Sequence, residues 1–537
     1  MDSTRPKGYL AVVLHAHLPY VRHPEHENFL EELWFYEALA ETYIPLLQVL
    51  NRLERDGVGY RLLLSLSPTL VSMFENPLLQ ERFVRHLRRV IRLADREAAR
   101  SGKRSERGAL CIHYADRYRD ILHWFEDRCG RRLAPAFARL AEYGNLEIMT
   151  CGATHGFLPI LQQNPGAVRA QAETARDYHA AVFGSAPDGI WTPECAYYSG
   201  LESVLAEAGF AYTLVDSHAV ENAGTAPRYG VYAPICSREG VAFFGRDRET
   251  GYQVWSAEQG YPGHPNYREF YRDLGYELPE EELGEFLIDG RIRVNTGLKL
   301  NRITSREGGD KAAYNPEWAR EQAARDAGHF VENRVRQAEN LARAMTDRPP
   351  IIVAPYDAEL FGHWWHEGPM FLEYVFRKLH YDQNAVETLT PRAYLLRHPE
   401  NQRSLPAGSS WGGDGTYEFW VNGSNQDIIP ALHQAADRFT AAVDRDEAAG
   451  LDPELLKQMQ RELMLAQASD WPFIMRTGTS PEYAGKRVRD HLSRFWALEN
   501  MLINGIDEEA FAAIRYADDI FPDCKPEYYA SRPPGAA

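Results

Sequence analysis

The sequence predicts an α/β fold, a TIM-like β/α barrel followed by a C-terminal helical domain. Short continuous apolar runs alternate with helical patterns over roughly the first 400 residues, which is typical of buried parallel strands. Most of these runs end in histidine, aspartate or glutamate. In a β/α barrel the C-terminal strand ends and the loops after them build the active site. Farther along the chain the strand patterns give way to helical ones.

Seven apolar runs are predicted as strands. The first, "YLAVVLHAHLPY" (9–20), ends in His15 and His17, and "DGIWTPECAY" (188–197) ends in Glu194. The other five runs cover residues 61–70, 145–156, 211–219, 291–299 and 349–365, and their polar ends include Thr154, His155, Asp216, His218, Lys299, Asp357, Glu359 and His363. Because the carboxyl ends of parallel strands lie on one side of a barrel, these side chains are expected to converge.

Helical patterns define the remaining parts of the chain. Segments 29–55 and 77–100 separate the first strands, and residues 428–443, 454–469 and 487–503 carry apolar residues at helical spacing. A small helical insertion is expected over 198–240, although 211–219 could belong to it or to the barrel. The expected division is a catalytic barrel of residues 1–197 and 241–398, the insertion 198–240, and a C-terminal helical domain 399–530 that contributes to the active-site cleft.

Composition restricts the partners. The 537-residue chain has a net charge of −17 and no Lys/Arg-rich block, so a nucleic acid would meet a repulsive field and is not expected as a partner. The sequence has neither an apolar stretch long enough for a membrane span nor a secretory signal. Its six scattered cysteines indicate free thiols in the cytoplasm rather than disulfides or zinc ligands. A cytoplasmic protein acting on a neutral substrate is therefore expected.

Aromatic residues cluster in two polar, glycine-containing segments, 245–276 and 411–420. Flat aromatic faces suit the C–H faces of sugar rings, and aromatic residues in loops are less often part of a core. The alternative, that these rings pack under their own loops, is equally compatible with the pattern.

Two strand-end carboxylates could break a glycosidic bond. Glu194 and Asp357 close separate strands, and such cleavage needs one carboxylate to attack or stabilise and another to deliver a proton. A retaining mechanism needs the two carboxyl groups about 5–5.5 Å apart, which two strand ends of one barrel can supply. Aromatic neighbours of Asp357, among them Trp364, would raise its pKa toward neutrality. Glu359, two residues further along the strand, could replace Asp357 as the acid.

Other chemistries find less support in the sequence. His15 with His17, or His363 with His366, could bind a metal, but no further Asp, Glu or His completes a familiar zinc spacing. Histidines at a barrel mouth can equally hydrogen-bond sugar hydroxyls. The chain has no G-x-S-x-G elbow and no glycine loop that joins a strand to a helix around a phosphate. We therefore expect neither a metal nor a cofactor.

Five segments, taken in chain order, carry a resemblance to a known family. They are "HAHLPY" (15–20), "GATHGFLPIL" (152–161), "WTPECAY" (191–197), "PYDAELFGHWWHEGP" (355–369) and "LAQASDWPF" (465–473). Together they resemble the five sequence regions of glycoside hydrolase family 57, and within it those of the α-1,4-glucan branching enzymes. The resemblance covers most of the chain, including the C-terminal helical part.

The resemblance implies an incomplete, seven-stranded TIM-like (β/α)7 barrel with a small inserted helical domain, a C-terminal helical domain and a retaining mechanism. Glu194 matches the family nucleophile and Asp357 the general acid/base. The residues it implies for substrate binding are His15, His17 and His155 at the −1 subsite, Asp470 and Trp471 from the C-terminal domain, and the aromatic residues Trp191, Trp255, Trp364 and Trp411. The substrate would be an α-glucan such as amylose or glycogen. A monomer is expected, with a homodimer as the alternative.

One segment departs from the resemblance. Branching enzymes of this family resemble one another in a loop that carries a tyrosine over the active site, and the segment that corresponds here reads "YAPICSREGVAFFGRD" (232–247). Cys236 stands near the position expected for that tyrosine. Without it water would compete better for the glycosyl-enzyme, so an amylase or a 4-α-glucanotransferase is the alternative activity. A metal-dependent deacetylase using His15 and His17, and a glucan-binding protein without turnover, are further alternatives.

Overall fold

A computed structural model describes residues 6–256, 260–305 and 310–532, except for the side chains of 447–449. The segment 245–276, predicted to be rich in substrate-facing aromatics, therefore lies in part outside the described residues. The strands are β1 (Gly8–Ala16), β2 (Leu62–Leu66), β3 (Leu146–Cys151), β4 (Gly189–Trp191), β5 (Tyr212–Val215), β6 (Ile235–Cys236), β7 (Ala242–Gly245), β8 (Ile351–Asp357), β9 (Val386–Thr388) and β10 (Gln402–Arg403).

Seven strands form a continuous parallel sheet in the order β8-β1-β2-β3-β4-β5-β7. The ends of this sheet approach each other, because the backbone N–H of Asp247, just after β7, donates a 2.8 Å hydrogen bond to the Val353 carbonyl of β8. In the described part of the chain no strand ladder joins β7 to β8. The predicted incomplete (β/α)7 barrel is confirmed.

Strand β1 shows how the sequence places the site. Tyr9, Ala11 and Val13 belong to a core cluster built from all seven barrel strands, whereas the intervening residues pack in the larger core that includes the surrounding helices. This alternation follows from the two-residue period of a strand. The same alternation places His15 on β1 and Asp357 on β8 toward the barrel interior. The two residues are register partners.

Helices surround the sheet and form the C-terminal region. Helix α4 shows how local sequence sets a boundary: the Asn76 side chain accepts hydrogen bonds from the N–H groups of residues 78 and 79, and Pro77 occupies the first helical position. The helices are α1 (Glu32–Ala38), α2 (Ile44–Arg55), α3 (Pro68–Phe74), α4 (Pro77–Ser101), α5 (Glu106–His123), α6 (Leu133–Glu142), α7 (Leu158–Leu161), α8 (Pro165–Phe183), α9 (Leu201–Glu207), α10 (Ser217–Glu221), α11 (Arg248–Trp255), α12 (Leu274–Glu277), α13 (Glu280–Leu283), α14 (Pro316–Ala344), α15 (Gly368–Tyr381), α16 (Pro391–Arg397), α17 (Ile429–Ala449), α18 (Pro453–Ala466), α19 (Asp470–Thr477), α20 (Pro481–Asn504) and α21 (Glu508–Ala517).

The turn between α18 and α19 touches the catalytic side of the barrel. The backbone N–H of Ser469 donates a 2.8 Å hydrogen bond to the carbonyl of His155, and the hydroxyl of Thr154 donates to the carbonyl of Met464. The C-terminal helical region is thus fixed directly to the loop after β3. None of the helices in the described ranges has the length and apolar character that crossing a membrane requires.

The structure corrects two predictions about the strands. The segment 198–240 is not a purely helical insertion, because it contains β5, which pairs with β4 and β7 inside the sheet. Residues 291–299 do not form a strand in the structure. The seventh barrel strand is instead β7, at 242–245, which the pattern did not single out.

The position of Cys236 is also corrected. Cys236 lies in β6, which runs antiparallel to β7 and pairs Cys236 with Ala242. Ala242 is the first residue of β7, so Cys236 lies at the N-terminal end of that barrel strand, opposite the end that carries the catalytic face. Cys236 therefore does not stand at the tip of a loop over the active site.

Candidate active site

A cleft of about 560 Å³ opens at the C-terminal ends of the barrel strands. It brings together both predicted carboxylates and most of the predicted binding residues: Glu194, Asp357, His15, His17, His155, Trp255, Trp364, Trp411 and Asp470. These side chains come from several strand ends and from the C-terminal region. The expected convergence is therefore present in part, because the other strand-end residues Thr154, Asp216, His218, Lys299 and His363 do not line the cleft.

Glu194 is held in an unusual conformation. It follows β4 in a short 3-10 turn and has a φ of +64°. This value lies in the left-handed region, which residues other than glycine rarely adopt. Its Oε2 accepts a 2.8 Å hydrogen bond from the indole N–H of Trp411, and its Oε1 accepts a 2.7 Å bond from the hydroxyl of Ser469. Burial raises the pKa of Glu194, and the two hydrogen bonds oppose that rise because they stabilise the carboxylate.

Asp357 has the properties of a proton donor. Burial, followed by the nearby charges of Glu359 and Glu194, raises its pKa well above the usual value, whereas Arg246 lowers it. Glu359 also has a raised pKa, caused by burial. However, Glu359 accepts a 3.2 Å hydrogen bond from the backbone N–H of His17 and another from the hydroxyl of Tyr43. These contacts engage Glu359 as an anchor, which favours Asp357 as the acid.

The three histidines form a stacked cluster. The rings of His17 and His155 are 3.8 Å apart, and His15 stacks on Trp191 at 4.4 Å. Each ring nitrogen is hydrogen-bonded within the protein: His15 to Ser65 and His155, His155 also to Ser469, and His17 to Ser67 and Asp470. In this structure the histidines therefore support the cleft wall and offer no unbonded ring nitrogen to a sugar.

The same cluster is one place where a metal could bind. Ligand atoms of His17, His155 and Asp470 lie within 4.8 Å of one another, as do those of His15, Cys151 and His155. Metal binding would require these histidine nitrogens to leave their present hydrogen bonds. The arrangement therefore favours a hydrogen-bonded support for the carboxylates over a metal centre.

Aromatic residues line the cleft, but two predicted ones do not. Trp364 is 53% exposed and stacks on Phe270 at 4.4 Å, while Trp255 and Trp411 meet edge to face at 6.2 Å. Trp191 and Trp471 are fully buried; Trp191 packs behind His15 and Trp411, and Trp471 donates its indole N–H to the Leu465 carbonyl. Because both side chains are fully buried, the prediction that they contact substrate is wrong. They pack behind the residues that line the cleft.

Sequence reasoning missed several cleft residues. Arg246 follows the unpredicted strand β7, ion-pairs with Asp216 at 3.5 Å and lies 5.9 Å from the ring centre of Trp411. Ser469 stands inside a segment that was singled out, but a lone serine carries no signal of its own. The aromatic residues Phe419, Trp420 and Phe473 extend the wall; the first two lie in the aromatic segment 411–420.

Comparison with known proteins agrees with this geometry. The family profile described as glycosyl hydrolase family 57 matches residues 11–406, and the profile described as 1,4-alpha-glucan branching enzyme, C-terminal, matches residues 431–529. The chain is 34% identical over 535 residues to the 1,4-alpha-glucan branching enzyme TK1436 of Thermococcus kodakarensis, which covers 93% of this chain and 74% of that protein.

Two solved structures share the fold over nearly their whole length. The structure described as the novel alpha-amylase AmyC from Thermotoga maritima superposes with a TM-score of 0.91 at 39% identity, covering 98% of this chain and 99% of the other. The crystal structure of TK1436, described as a GH57 branching enzyme, superposes with a TM-score of 0.86 at 32% identity, covering 98% of each chain. The similar structures thus carry two different activities in their names.

Proposed function

The chain belongs to glycosyl hydrolase family 57, and we propose that it cleaves α-1,4-glucan linkages and re-forms them as α-1,6 branches by a retaining mechanism. The observation that carries this proposal is the cleft itself. Two partly buried carboxyl groups from separate strand ends, Glu194 and Asp357, line the cleft beside a C-terminal region that matches the branching-enzyme profile and contributes Ser469 and Asp470.

In the first step Glu194 attacks the anomeric carbon while Asp357 gives its proton to the departing glycosidic oxygen. This step needs an ionised Glu194 and a protonated Asp357. Burial raises the pKa of both groups, but their other neighbours separate them, because hydrogen bonds oppose the rise at Glu194 and nearby acids add to it at Asp357. Two hydrogen-bond donors stabilise the carboxylate of Glu194, and burial together with neighbouring acids raises the pKa of Asp357 well above its usual value.

In the second step the Asp357 carboxylate removes a proton from the 6-hydroxyl of an acceptor glucan, and that oxygen displaces Glu194 from the anomeric carbon. Branching requires the acceptor to compete with water. The aromatic side chains of Trp255, Trp364 and Trp411 offer faces on which acceptor sugar rings can stack while water is displaced.

Hydrolysis is the second candidate, favoured by the similarity to the structure described as an alpha-amylase. The two activities share the first step and differ only in whether water or a sugar hydroxyl attacks the glycosyl-enzyme. A 4-α-glucanotransferase would differ in the acceptor hydroxyl. The linkage of the product therefore separates the three.

The proposal includes the setting in which the enzyme works. Amylose and glycogen are the proposed substrates. The six cysteines are free thiols in the structure, which fits a reducing cytoplasm. The protein is proposed to act as a monomer, which light scattering of the purified chain would check.

The deciding experiment is a proton NMR time course with linear amylose, with reducing ends assayed in parallel and Glu194→Gln as the inactive control. We expect the α-1,6 anomeric signal to grow with few new reducing ends, and the rate to be unchanged by a chelator. Reducing ends that rise without the α-1,6 signal would replace branching with hydrolysis. Loss of activity in the chelator would replace both with a metal-dependent reaction.

A further inference from the structure

A line of four hydrogen bonds crosses the barrel and ends on the carboxylate of Glu194. Ser65 Oγ lies 3.0 Å from Nδ1 of His15, and Nε2 of His15 lies 3.0 Å from Nε2 of His155. Nδ1 of His155 lies 2.7 Å from Oγ of Ser469, whose hydroxyl donates the 2.7 Å bond to Oε1 of Glu194. The members come from β2, β1, the loop after β3, the C-terminal region and the turn after β4.

Both imidazoles in this line are neutral at neutral pH. His15 and His155 are 2% and 3% exposed, and burial lowers the pKa of each well below the usual histidine value. The neighbouring ring of His17 lowers both further. A neutral imidazole has one N–H donor and one bare nitrogen acceptor, so each ring can pass a hydrogen bond in one direction only.

The direction of every bond then follows from its last link. An ionised Glu194 can only accept, so the single hydroxyl proton of Ser469 points at it. Nδ1 of His155 must therefore be the donor to Ser469, which leaves Nε2 of His155 as an acceptor. Nε2 of His15 must donate to that acceptor, and Nδ1 of His15 must accept from the hydroxyl of Ser65.

The charged and titratable groups around this line stand outside it. His17 stacks on His155 and is bonded to Ser67 and to Asp470 instead. Asp357 is the strand partner of His15, and Trp191 covers the face of the His15 ring. The direct distance from Nδ1 of His155 to Oε1 of Glu194 is 3.7 Å, which is too long for a hydrogen bond, so the hydrogen-bonded connection runs through Ser469.

We propose that Ser65 and Ser469 are positioning residues at the two ends of a one-way hydrogen-bond chain, Ser65 to His15 to His155 to Ser469, that aims a donor at Oε1 of the nucleophile. This inference rests on the proposed role of Glu194. With Trp411 holding Oε2, the chain fixes both carboxylate oxygens. Ser65 acts at a distance, because its hydroxyl supplies the donor that the bare Nδ1 of His15 needs in the tautomer that the chain requires.

The functional test uses Ser65→Ala, Ser469→Ala and the double variant, with the initial rate of α-1,4 bond cleavage measured against pH. Ser469→Ala removes a hydrogen bond to a charged group, so kcat/KM should fall about 10-fold and the acid limb should move to higher pH by about one unit. Ser65→Ala leaves the bare, buried Nδ1 of His15 without a donor and so weakens the hydrogen bonds that follow it in the chain. It should move the acid limb in the same direction by a smaller amount.

The double variant distinguishes a chain from two separate contacts. Once Ser469 is gone Ser65 no longer reaches Glu194, so the double variant should match Ser469→Ala alone. Ser67→Ala is the matched control, since Ser67 bonds to His17 outside the chain; its effect should add to that of Ser469→Ala. Additive effects of Ser65→Ala and Ser469→Ala would overturn the proposal.

Neutron diffraction of the unaltered protein is the second measurement and does not depend on the variants folding. We expect deuterium on Nε2 of His15 and on Nδ1 of His155, with the other nitrogen of each ring bare. Either ring in the opposite tautomer, or doubly protonated at neutral pH, would overturn the chain. Because bond cleavage is common to branching and hydrolysis, a failure of the branching proposal would leave both tests readable.

Discussion

Trp411 holds Glu194 at two points. Its indole N–H donates to the side-chain Oε2 at 2.8 Å, and its backbone N–H donates to the Glu194 carbonyl at 2.9 Å. Glu194 has a left-handed backbone conformation, which costs of order 1–3 kcal/mol and persists only where its surroundings impose it. Trp411 supplies part of that constraint and stabilises the charged form of the carboxylate. It lies after β8, the last of the seven barrel strands in the chain.

Removing the indole donor should therefore impair Glu194, the proposed nucleophile, while an aromatic ring still fills the position of Trp411. Trp411→Phe keeps an aromatic ring but loses a hydrogen bond to a charged group, so kcat/KM should fall by about 10- to 100-fold. The lost bond had lowered the pKa of Glu194, so that pKa should rise and the acid limb of the pH–rate profile should move to higher pH. Trp364→Phe is the control, because Trp364 packs on Phe270 and should leave the acid limb in place. If the acid limb of Trp411→Phe lies at the same pH as that of the unaltered protein, Trp411 does not stabilise an ionised Glu194.

Variants of the proposed nucleophile and of the proposed proton donor should lose activity in different ways. Glu194→Gln keeps the shape of the side chain but cannot form the glycosyl-enzyme, so turnover should fall by about 10⁴-fold or more while glycogen binding persists. Affinity electrophoresis in glycogen-containing gels would measure the retained binding. Turnover near that of the unaltered protein would remove Glu194 from the mechanism.

Asp357→Asn should retain an activity that depends on the leaving group. With no proton to give, the variant should cleave substrates whose leaving group needs no protonation much faster than it cleaves glucan. Glucosyl fluoride and a natural maltooligosaccharide make the matched comparison. Equal losses on both substrates would show that Asp357 does not deliver the proton, and the same experiment on Glu359→Gln would then test the neighbouring acid.

The sequence predicted the barrel strand that forms a long run buried on both faces, and it missed a barrel strand that is short. Strand β1 reads as nine buried residues, GYLAVVLHA, and its start was placed within one residue, although the predicted run continued to residue 20, four residues beyond the strand. Strand β7 is only AFFG, and the polar segments on either side, SREG and RDRE, leave a pattern too short to separate from a loop. The β5 segment was predicted as a strand. Because helical patterns flank it, it was included in the predicted insertion 198–240, with the barrel as the alternative.

The carboxylates of the site were predictable and their supports were not. Glu194 and Asp357 each end an apolar run, which marks a position at the catalytic side of a barrel. Ser469 lies 275 residues from Glu194, and no local pattern links a serine to a partner so far along the chain. Trp471 was expected in the cleft because the family resemblance implied it together with Asp470, but successive residues of a helix point in different directions.

Arg246 should set the upper end of the pH range. Asp357 must be protonated to donate, and Arg246 is the neighbour that lowers its pKa. In Arg246→Met that opposition disappears, so the pKa of Asp357 rises further and the alkaline limb should move to higher pH by about one unit. Arg248→Met is the matched control, because Arg248 pairs with Glu221 at 2.6 Å instead. If the alkaline limbs of the two variants coincide, Arg246 does not act on Asp357.

The C-terminal region contains a buried charge cluster whose members should differ in their contribution to stability. Asp518 is 1% exposed; it pairs with Arg494 and lies 3.8 Å from the buried Arg487. Asp518→Asn would leave these guanidinium groups without their counter-charge. Breaking a buried pair in this way costs about 3–5 kcal/mol of unfolding free energy.

Glu462 belongs to the same cluster but should tolerate loss of its charge. Burial and the charge of Asp518 raise the pKa of Glu462 well above its usual value, which favours the protonated acid, and its carboxyl group lies 2.7 Å from Nδ1 of His491. In Glu462→Gln the amide N–H can donate to this Nδ1, and the amide oxygen can accept from Gln458 as the carboxyl does now. The expected loss is below about 1 kcal/mol. Denaturant unfolding at pH 7 would compare the two variants, and a Glu462→Gln protein as unstable as Asp518→Asn would mean that Glu462 is ionised.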